Sequence, residues 1–365
     1  MKAIEKFTIN FFFFFIIACE IAWRTKHPIH PIPITMVVAP LDDSMAVNAF
    51  YARNLQKLFW FLPGSGSSQL RRALKQSIDS SIYFGLTKEN YHYDIVSKFC
   101  EPANTYYKDS NLTNADRVFT DAAIKFCSDV YKGANISKWI NSDEISNKYQ
   151  DKDIDFILSG LLQSSDATKY KEFVSRLQPK DIDYRVLRSL IADSIGSDSK
   201  NIKGLTASIN LTRWINHFRL NKYVVVNIGS ATLRYYENDS LKLKMKVVVG
   251  KPSTRTPRFA AYCNEIILYP YWNVPRKIVL NELLPTFKSL PNSVESMNMQ
   301  IIDRYGRIVD LDTLNWRLYN HNFFPYEVRQ STGCDNALGV IKFNLTSPFD
   351  VYMHDTNLKS AFKSE

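Results

Sequence analysis

The sequence predicts an α+β protein in which a helical half precedes a β-rich half. Three observations predict it. From Asp42 to about Asn201, apolar residues return every three or four positions, as on one face of a helix. At Tyr223 the rhythm changes to the β-branched run Tyr223-Val224-Val225-Val226. Farther on, Leu241, Leu243, Met245 and Val247 alternate with lysines, which suits a half-buried strand.

In chain order, the first element is a leader. Lys2 and Lys6 precede the apolar stretch Phe11 to Ala18, and Cys19 follows. A charged start and a short apolar segment are the layout of a secretory signal, and the run is too short for a comfortable membrane span. Ile16-Ile17-Ala18-Cys19 also fits a bacterial lipobox, so two readings stand: lipidation at Cys19, or an anchor in which Cys19 is an ordinary small residue. Residues 1–22 are therefore expected to be a signal, and export to the bacterial cell envelope follows. Residues 23–46 contain His27-Pro28-Ile29-His30-Pro31-Ile32-Pro33, a proline density that forbids a helix and favours an extended linker.

Helices are then expected around Ala49 to Phe61, Leu70 to Ile82, Asp116 to Val130, Ile154 to Leu162, Tyr170 to Leu177 and Tyr184 to Ile195. Strands are expected at Tyr223 to Ile228, Leu233 to Glu237, Leu241 to Val249, Glu265 to Tyr269, Ile301 to Asp303, Gly339 to Leu345 and Val351 to Tyr352, with a short helix at Leu280 to Leu284. Asn238-Asp239-Ser240 supplies a turn.

The chain has 365 residues, 45% of them apolar, enough for two domains with sizeable cores. Its net charge of +10 is spread among acidic residues without a basic block, so nucleic acid is not an expected partner. Cys100, Cys127, Cys263 and Cys334 show neither a Cys-x-x-Cys pair nor finger spacing. They read as scattered thiols; no structural metal and no cofactor are expected.

Four segments in order resemble one family. They are Val249-Gly250-Lys251-Pro252 with Thr254-Arg255-Thr256-Pro257, then Tyr269-Pro270-Tyr271-Trp272-Asn273-Val274-Pro275, then Asn336-Ala337-Leu338-Gly339, and finally Val351-Tyr352-Met353-His354-Asp355-Thr356. Together they resemble the YkuD-type L,D-transpeptidase catalytic domain, in the large murein subgroup that carries a helical scaffold domain. Phe50-Tyr51-Ala52-Arg53, Asp116-Arg117-Val118-Phe119-Thr120 and Tyr184-Arg185-Val186-Leu187-Arg188 are similar to that scaffold. The resemblance implies a scaffold domain over 47–200, a connector over 201–222 with no room for an inserted glycan-binding domain, and a catalytic domain over 223–365.

By the same resemblance, a cysteine thiolate attacks a carbonyl of a peptidoglycan peptide stem, and an amine of a second stem resolves the acyl-enzyme. The family places that cysteine in a Ser-His-Gly-Cys segment soon after the histidine matched by His354. These 365 residues contain no such segment, so an incomplete catalytic domain that does not transpeptidate is expected. A non-catalytic envelope scaffold or peptidoglycan-binding protein is the alternative. Ser331-Thr332-Gly333-Cys334 resembles the motif only superficially, with threonine in the histidine position and the wrong order in the chain. Cys334 is read as a loop thiol; its pairing with His354 as a catalytic couple is the third reading. His354, Trp272 and Asn273 are the expected substrate-binding residues, with Arg329 able to meet a stem carboxylate through its planar fork. His92 and His217 read as structural. Expected partners are peptidoglycan stems and, through the leader or a lipid on Cys19, the membrane.

Overall fold

The computed structural model describes residues 40–63, 65–100, 109–141, 143–195, 199–349, 351–356 and 359–362. The signal over 1–22, Cys19 and nearly all of the proline-rich linker lie outside the described residues. The architecture is α+β, with helices preceding small antiparallel sheets. The chain divides into two compact units: residues 1–134 with 151–217, and residues 135–150 with 218–365.

The first unit contains α1 (Ser44–Arg53), α2 (Ser65–Asp79), α3 (Tyr93–Cys100), α4 (Asp109–Lys132), the end of α5 (Asp143–Gln163), α6 (Ala167–Leu177), α7 (Ile182–Ser194) and α8 (Ser199–His217). Helix α4 is its axis. Ala115, Phe119, Ala122, Ala123, Phe126, Cys127 and Val130 are buried, and α1, α3, α6 and α8 pack against this helix. Apolar side chains on nearly every side of α4 mark a helix enclosed by others rather than lying on a surface. Between α5 and α6, a Cβ at Gly160 would lie 2.0 Å from the Phe173 ring, so only glycine lets these helices approach so closely.

Asp116, fully buried on α4, organises this core. Its carboxylate accepts hydrogen bonds from the backbone N–H groups of Phe59 (3.0 Å), Trp60 (2.8 Å) and Phe61 (3.0 Å). Tyr51 donates its hydroxyl to the same carboxylate. One turn on, Thr120 Oγ1 accepts from Trp60 Nε1 at 3.0 Å and lies 2.9 Å from the Tyr51 hydroxyl. Burial pushes the Asp116 carboxyl pKa up, against the opposing pull of these donors. The result seats Phe59, Trp60 and Phe61 in the core, where Phe61 meets Phe99 and Phe119 edge-on.

A second buried carboxylate, Asp121, receives the incoming chain. It accepts from the N–H groups of Asp42 (2.7 Å) and Asp43 (3.1 Å) and lies 2.7 Å from His92 Nε2. Asp43 in turn caps α1 by accepting from Ala46 N–H.

The stretch expected to be a connector, 201–222, contains most of α8. Ile209, Asn210, Arg213 and Trp214 face inward. Asn210 accepts from Ala134 N–H at 2.9 Å and donates to the Gly85 carbonyl at 3.0 Å. Arg213 donates to the Tyr184 hydroxyl at 2.9 Å and to Asn210 at 3.1 Å. Buried polar anchors at 210 and 213, rather than a continuous apolar stripe, hide this helix from a periodicity search.

Among the described residues, the second unit carries three three-stranded antiparallel sheets. The first orders β1 (Lys222–Asn227), β2 (Thr232–Glu237) and β3 (Ser240–Lys246) side by side. The second places β8 (Ile341–Leu345) between β4 (Cys263–Leu268) and β9 (Met353–His354). The third places β7 (Glu327–Gln330) between β5 (Trp272–Asn273) and β6 (Met299–Ile302). The short helix expected at Leu280 to Leu284 lies within a longer helical run, Arg276–Ile278, Val279–Leu283 and Leu284–Ser289, followed by Ser293–Ser296. Val279, Leu283, Phe287, Ile301, Trp316, Phe324 and Val328 form the core of that region. Residues 135–150 join this unit through Asn141, whose N–H donates to the Arg258 carbonyl while its carbonyl accepts from Ala260 N–H. Among the described residues no helix is long and apolar enough to cross a membrane.

Two outcomes test the buried carboxylates. Asp116→Ala strands three backbone donors and a hydroxyl, and is expected to destabilise the first unit by about 3 kcal/mol or more in chemical denaturation. Asp121 has a folded-state pKa below the ordinary carboxylate value: burial would raise it, but His92 and two backbone donors together outweigh that. Its stabilisation is therefore present above the unfolded value of about 4 and is lost as pH falls through the lower folded value. Asp121→Asn should flatten the acid limb of the stability–pH curve; an unchanged limb would rule this clasp out as its source.

Candidate functional site

Strand β7 brings two of the expected binding residues together. In the ladder, Asn273 of β5 and Gln300 of β6 lie directly opposite Arg329, so Asn273, Arg329 and Gln300 form one row across three strands. Residues opposite one another share a sheet face. Gln300 Oε1 accepts from both Arg329 Nε (3.1 Å) and Nη2 (2.8 Å). The Arg329 guanidinium also lies 4.4 Å from the centre of the exposed Tyr271 ring. A neutral amide and an aromatic face thus hold a half-buried cation, and among the described residues no carboxylate forms an ion pair with it. That arrangement leaves a planar cation oriented for an anionic group.

Trp272, the neighbour of Asn273, is half-buried and packs against the core of this region. Asn273 instead opens onto a pocket of about 290 Å³ lined also by Val274, Arg276, Val279, Tyr326, Glu327 and Val328. Arg276 Nη1 donates to the Tyr326 carbonyl at 3.1 Å, which fixes one wall.

His354 lies in a different sheet, on β9, where it pairs with Lys342 of β8 and is exposed. Its Nδ1 contacts the Asp355 carbonyl, and its ring lies 5.6 Å from that of Tyr352. Among the described residues no hydrogen bond or ion pair joins His354 to Trp272, Asn273, Arg329 or Cys334.

The segment 331–340 ties the two sheets. Asn336, buried, donates to the carbonyls of Pro270 (3.2 Å) and Ser331 (2.8 Å) and accepts from Leu338 N–H (2.7 Å). Gly339 follows in the left-handed region at φ 62°. A Cβ there would lie 2.4 Å from Asp355 Oδ2, and that same oxygen accepts from Val340 N–H at 3.3 Å. Gly339 therefore serves twice, once for its backbone angle and once for the space that Asp355 fills. A hydrogen bond from Lys359 lowers the Asp355 carboxyl pKa, helped by the N–H groups of Thr356 and Val340. The corner fixes the residue that follows His354.

Cys334 sits exposed in this segment as a free thiol beside Gly333. Cys100, Cys127 and Cys263 are free as well. Cys127 is buried, and Cys100, half-buried, is pushed up to about 11 by that burial. His217 is buried in the first unit, with Nδ1 at the Trp214 carbonyl and Nε2 3.5 Å from Asp153. Asp42, His92 and Asp121 bring three ligand-type atoms within 4.8 Å of one another. Lys125 already holds Asp42 at 2.7 Å, and backbone donors hold both Asp121 oxygens, so this group acts as a clasp on the chain.

Gln300 was not legible as a partner for Arg329. Nothing in a Met-Gln-Ile-Ile run distinguishes a fork-binding glutamine from an edge-strand one; the signal is register across β6 and β7, which sequence spacing does not contain.

Gly339→Ala should shift the 331–340 corner. An expected loss of about 1–3 kcal/mol of stability, with faster amide exchange at Val340 and Asp355, would follow from strain and overlap together. Exchange unchanged at both amides would count against the corner.

Residues 221–365 match the L,D-transpeptidase catalytic domain, and residues 45–190 match a family described as the Scaffold domain. A Haemophilus influenzae protein named "Putative L,D-transpeptidase" is 39% identical over 139 residues, which cover 38% of this chain. The chain spans 28% of the length of that relative.

Proposed function

We propose, for a chain whose residues 221–365 match the L,D-transpeptidase catalytic domain, that this polypeptide is exported to the cell envelope and binds peptidoglycan peptide stems. The observation that carries the reading is the row Asn273–Arg329–Gln300 beside Tyr271, within the matched residues. Its planar cation suits a stem carboxylate, and Asn273 and Gln300 flank it, while Trp272 packs beneath the row against the core. His354 is the residue of the reacting end, orienting the donor stem. The intact chemistry of the family is acyl transfer: a thiolate attacks the stem carbonyl, the terminal residue leaves, and an acceptor amine closes the cross-link.

We read the 365 residues, taken alone, as binding stems without completing that transfer. Cys334 is exposed and free, but among the described residues it has no hydrogen bond to a histidine that would ionise it. A purely scaffolding role is the second reading. It is favoured by the extent of the scaffold match, 45–190, which is as long as the catalytic-domain match, 221–365.

Acylation by a thiol-reactive carbapenem, read by intact mass, separates these. No adduct on the 365-residue polypeptide is expected, and an adduct mapped to Cys334 would overturn the proposal in favour of a Cys334–His354 couple. In parallel, titration with a tetrapeptide stem should reveal binding that Arg329→Ala weakens about tenfold, the scale of one lost charge-assisted pair. Sacculus binding without stem binding would favour the scaffold reading. Export and the state of Cys19 are tested together: Cys19→Ser should move the protein from the membrane to the soluble fraction if the cysteine is lipidated.

A further inference from the structure

The pocket beside Asn273 carries two opposite charges that are not bonded to each other. Arg276 and Glu327 both line it, and both reach solvent. Among the described residues neither forms an ion pair, with the other or with a third group. Arg276 donates Nη1 to the Tyr326 carbonyl at 3.1 Å, and its Nη2 has no hydrogen bond among the described residues. That carbonyl belongs to the residue before Glu327, and consecutive Cα atoms lie about 3.8 Å apart. The guanidinium is therefore anchored next to the point from which the carboxylate leaves the wall.

The rest of the lining is neutral. Val274, Val279 and Val328 are buried and belong to the core of this region. Val274 N–H donates to the Val328 carbonyl at 2.9 Å, so this apolar floor is fixed before any ligand arrives. The volume of about 290 Å³ is at the small end for ligand pockets, which start near roughly 300 Å³. An inorganic anion would meet Arg276 but be repelled by Glu327, and a cation would meet the reverse. Either would leave the valines without a contact. A small ligand carrying both charges and an aliphatic body satisfies the whole lining.

We propose that this pocket binds the zwitterionic head group of an aliphatic α-amino acid. Arg276 pairs with the α-carboxylate, Glu327 pairs with the α-ammonium, and the side chain lies on Val274, Val279 and Val328. The assignment goes beyond the stem-binding reading and does not need it. Such a head group comes from a free amino acid or is carried on a residue of a stem, and the test separates the two sources.

The test is an amide chemical-shift titration of the 365-residue chain with leucine. Shifts are expected at Val274, Glu327 and Val328. N-Acetylleucine lacks the ammonium and leucinamide lacks the carboxylate, so each should bind about tenfold more weakly, the scale of one lost charge-assisted pair. In Glu327→Gln acetylation should cost nothing further, and in Arg276→Gln amidation should cost nothing further. The ligand series on the unaltered chain decides the matter even where a variant does not fold. Equal affinity for leucine and N-acetylleucine, or no shift at these amides under saturating leucine, would overturn the proposal. A tetrapeptide stem weakened about tenfold by Glu327→Gln would assign the head group to the stem. A stem unaffected by that change, with leucine weakened, would assign it to a free amino acid. Leucine is titrated without any stem, so failure of the stem-binding reading leaves this result standing.

Discussion

One buried carboxylate holds the helical unit to a single arrangement. Asp116 gathers three successive backbone N–H groups and the Tyr51 hydroxyl in a space closed to water. A buried carboxylate is tolerable only with such a set of donors, and the donors are tolerable there only with the carboxylate. The mutual need selects one path for residues 59–61, and that path places Phe59, Trp60 and Phe61 against α4. Thr120 then takes the indole N–H, and the aromatic edges close around Phe119. Without Asp116 the same apolar residues would still prefer the interior, but nothing would fix which of several packings they take.

The β-rich unit relies on a comparable economy at a different scale. Its sheets are small, and its short strands β5 and β9 have two residues each in the ladder. Such elements do not persist on ladder bonds alone. The Asn336 side chain supplies the missing links by bonding both strand-flanking carbonyls, and Gly339 leaves the gap into which Asp355 fits. The positions of His354 and of the Arg329 row are therefore set by a corner that is neither strand nor helix. This explains why Asn-Ala-Leu-Gly stands out as a motif although none of its residues carries a reactive group.

Much of this was legible from the sequence, and the failures are physically consistent. Apolar periods revealed α4, because burial on one face leaves a period behind. They also marked β3, but that strand is exposed along its whole length, Leu241, Leu243 and Met245 included, rather than half-buried as expected. Family resemblance pointed to the two matched domains and proposed His354, while Arg329 was proposed for the bidentate fork of its side chain. What stayed hidden depended on polar groups meeting across long separations. Asp116 reads as an ordinary helical aspartate until Phe59 to Phe61 lie beside it. Helix α8, which spans most of the expected connector, left no apolar period because its buried anchors are Asn210 and Arg213. The strand of the last motif was expected at Val351 and Tyr352, whereas the ladder pairs Met353 and His354; a two-residue strand leaves no alternation to count.

Strand β3 lies at the margin of its sheet, with one row of backbone groups directed away from β2. Such a margin is a ready template for a strand from another molecule. Lysine at positions 242, 244 and 246 makes any second copy approach against its own charge. The protein therefore resists self-association most strongly in dilute buffer, and concentrated salt, by shielding those ammonium groups, removes the barrier that keeps its copies apart.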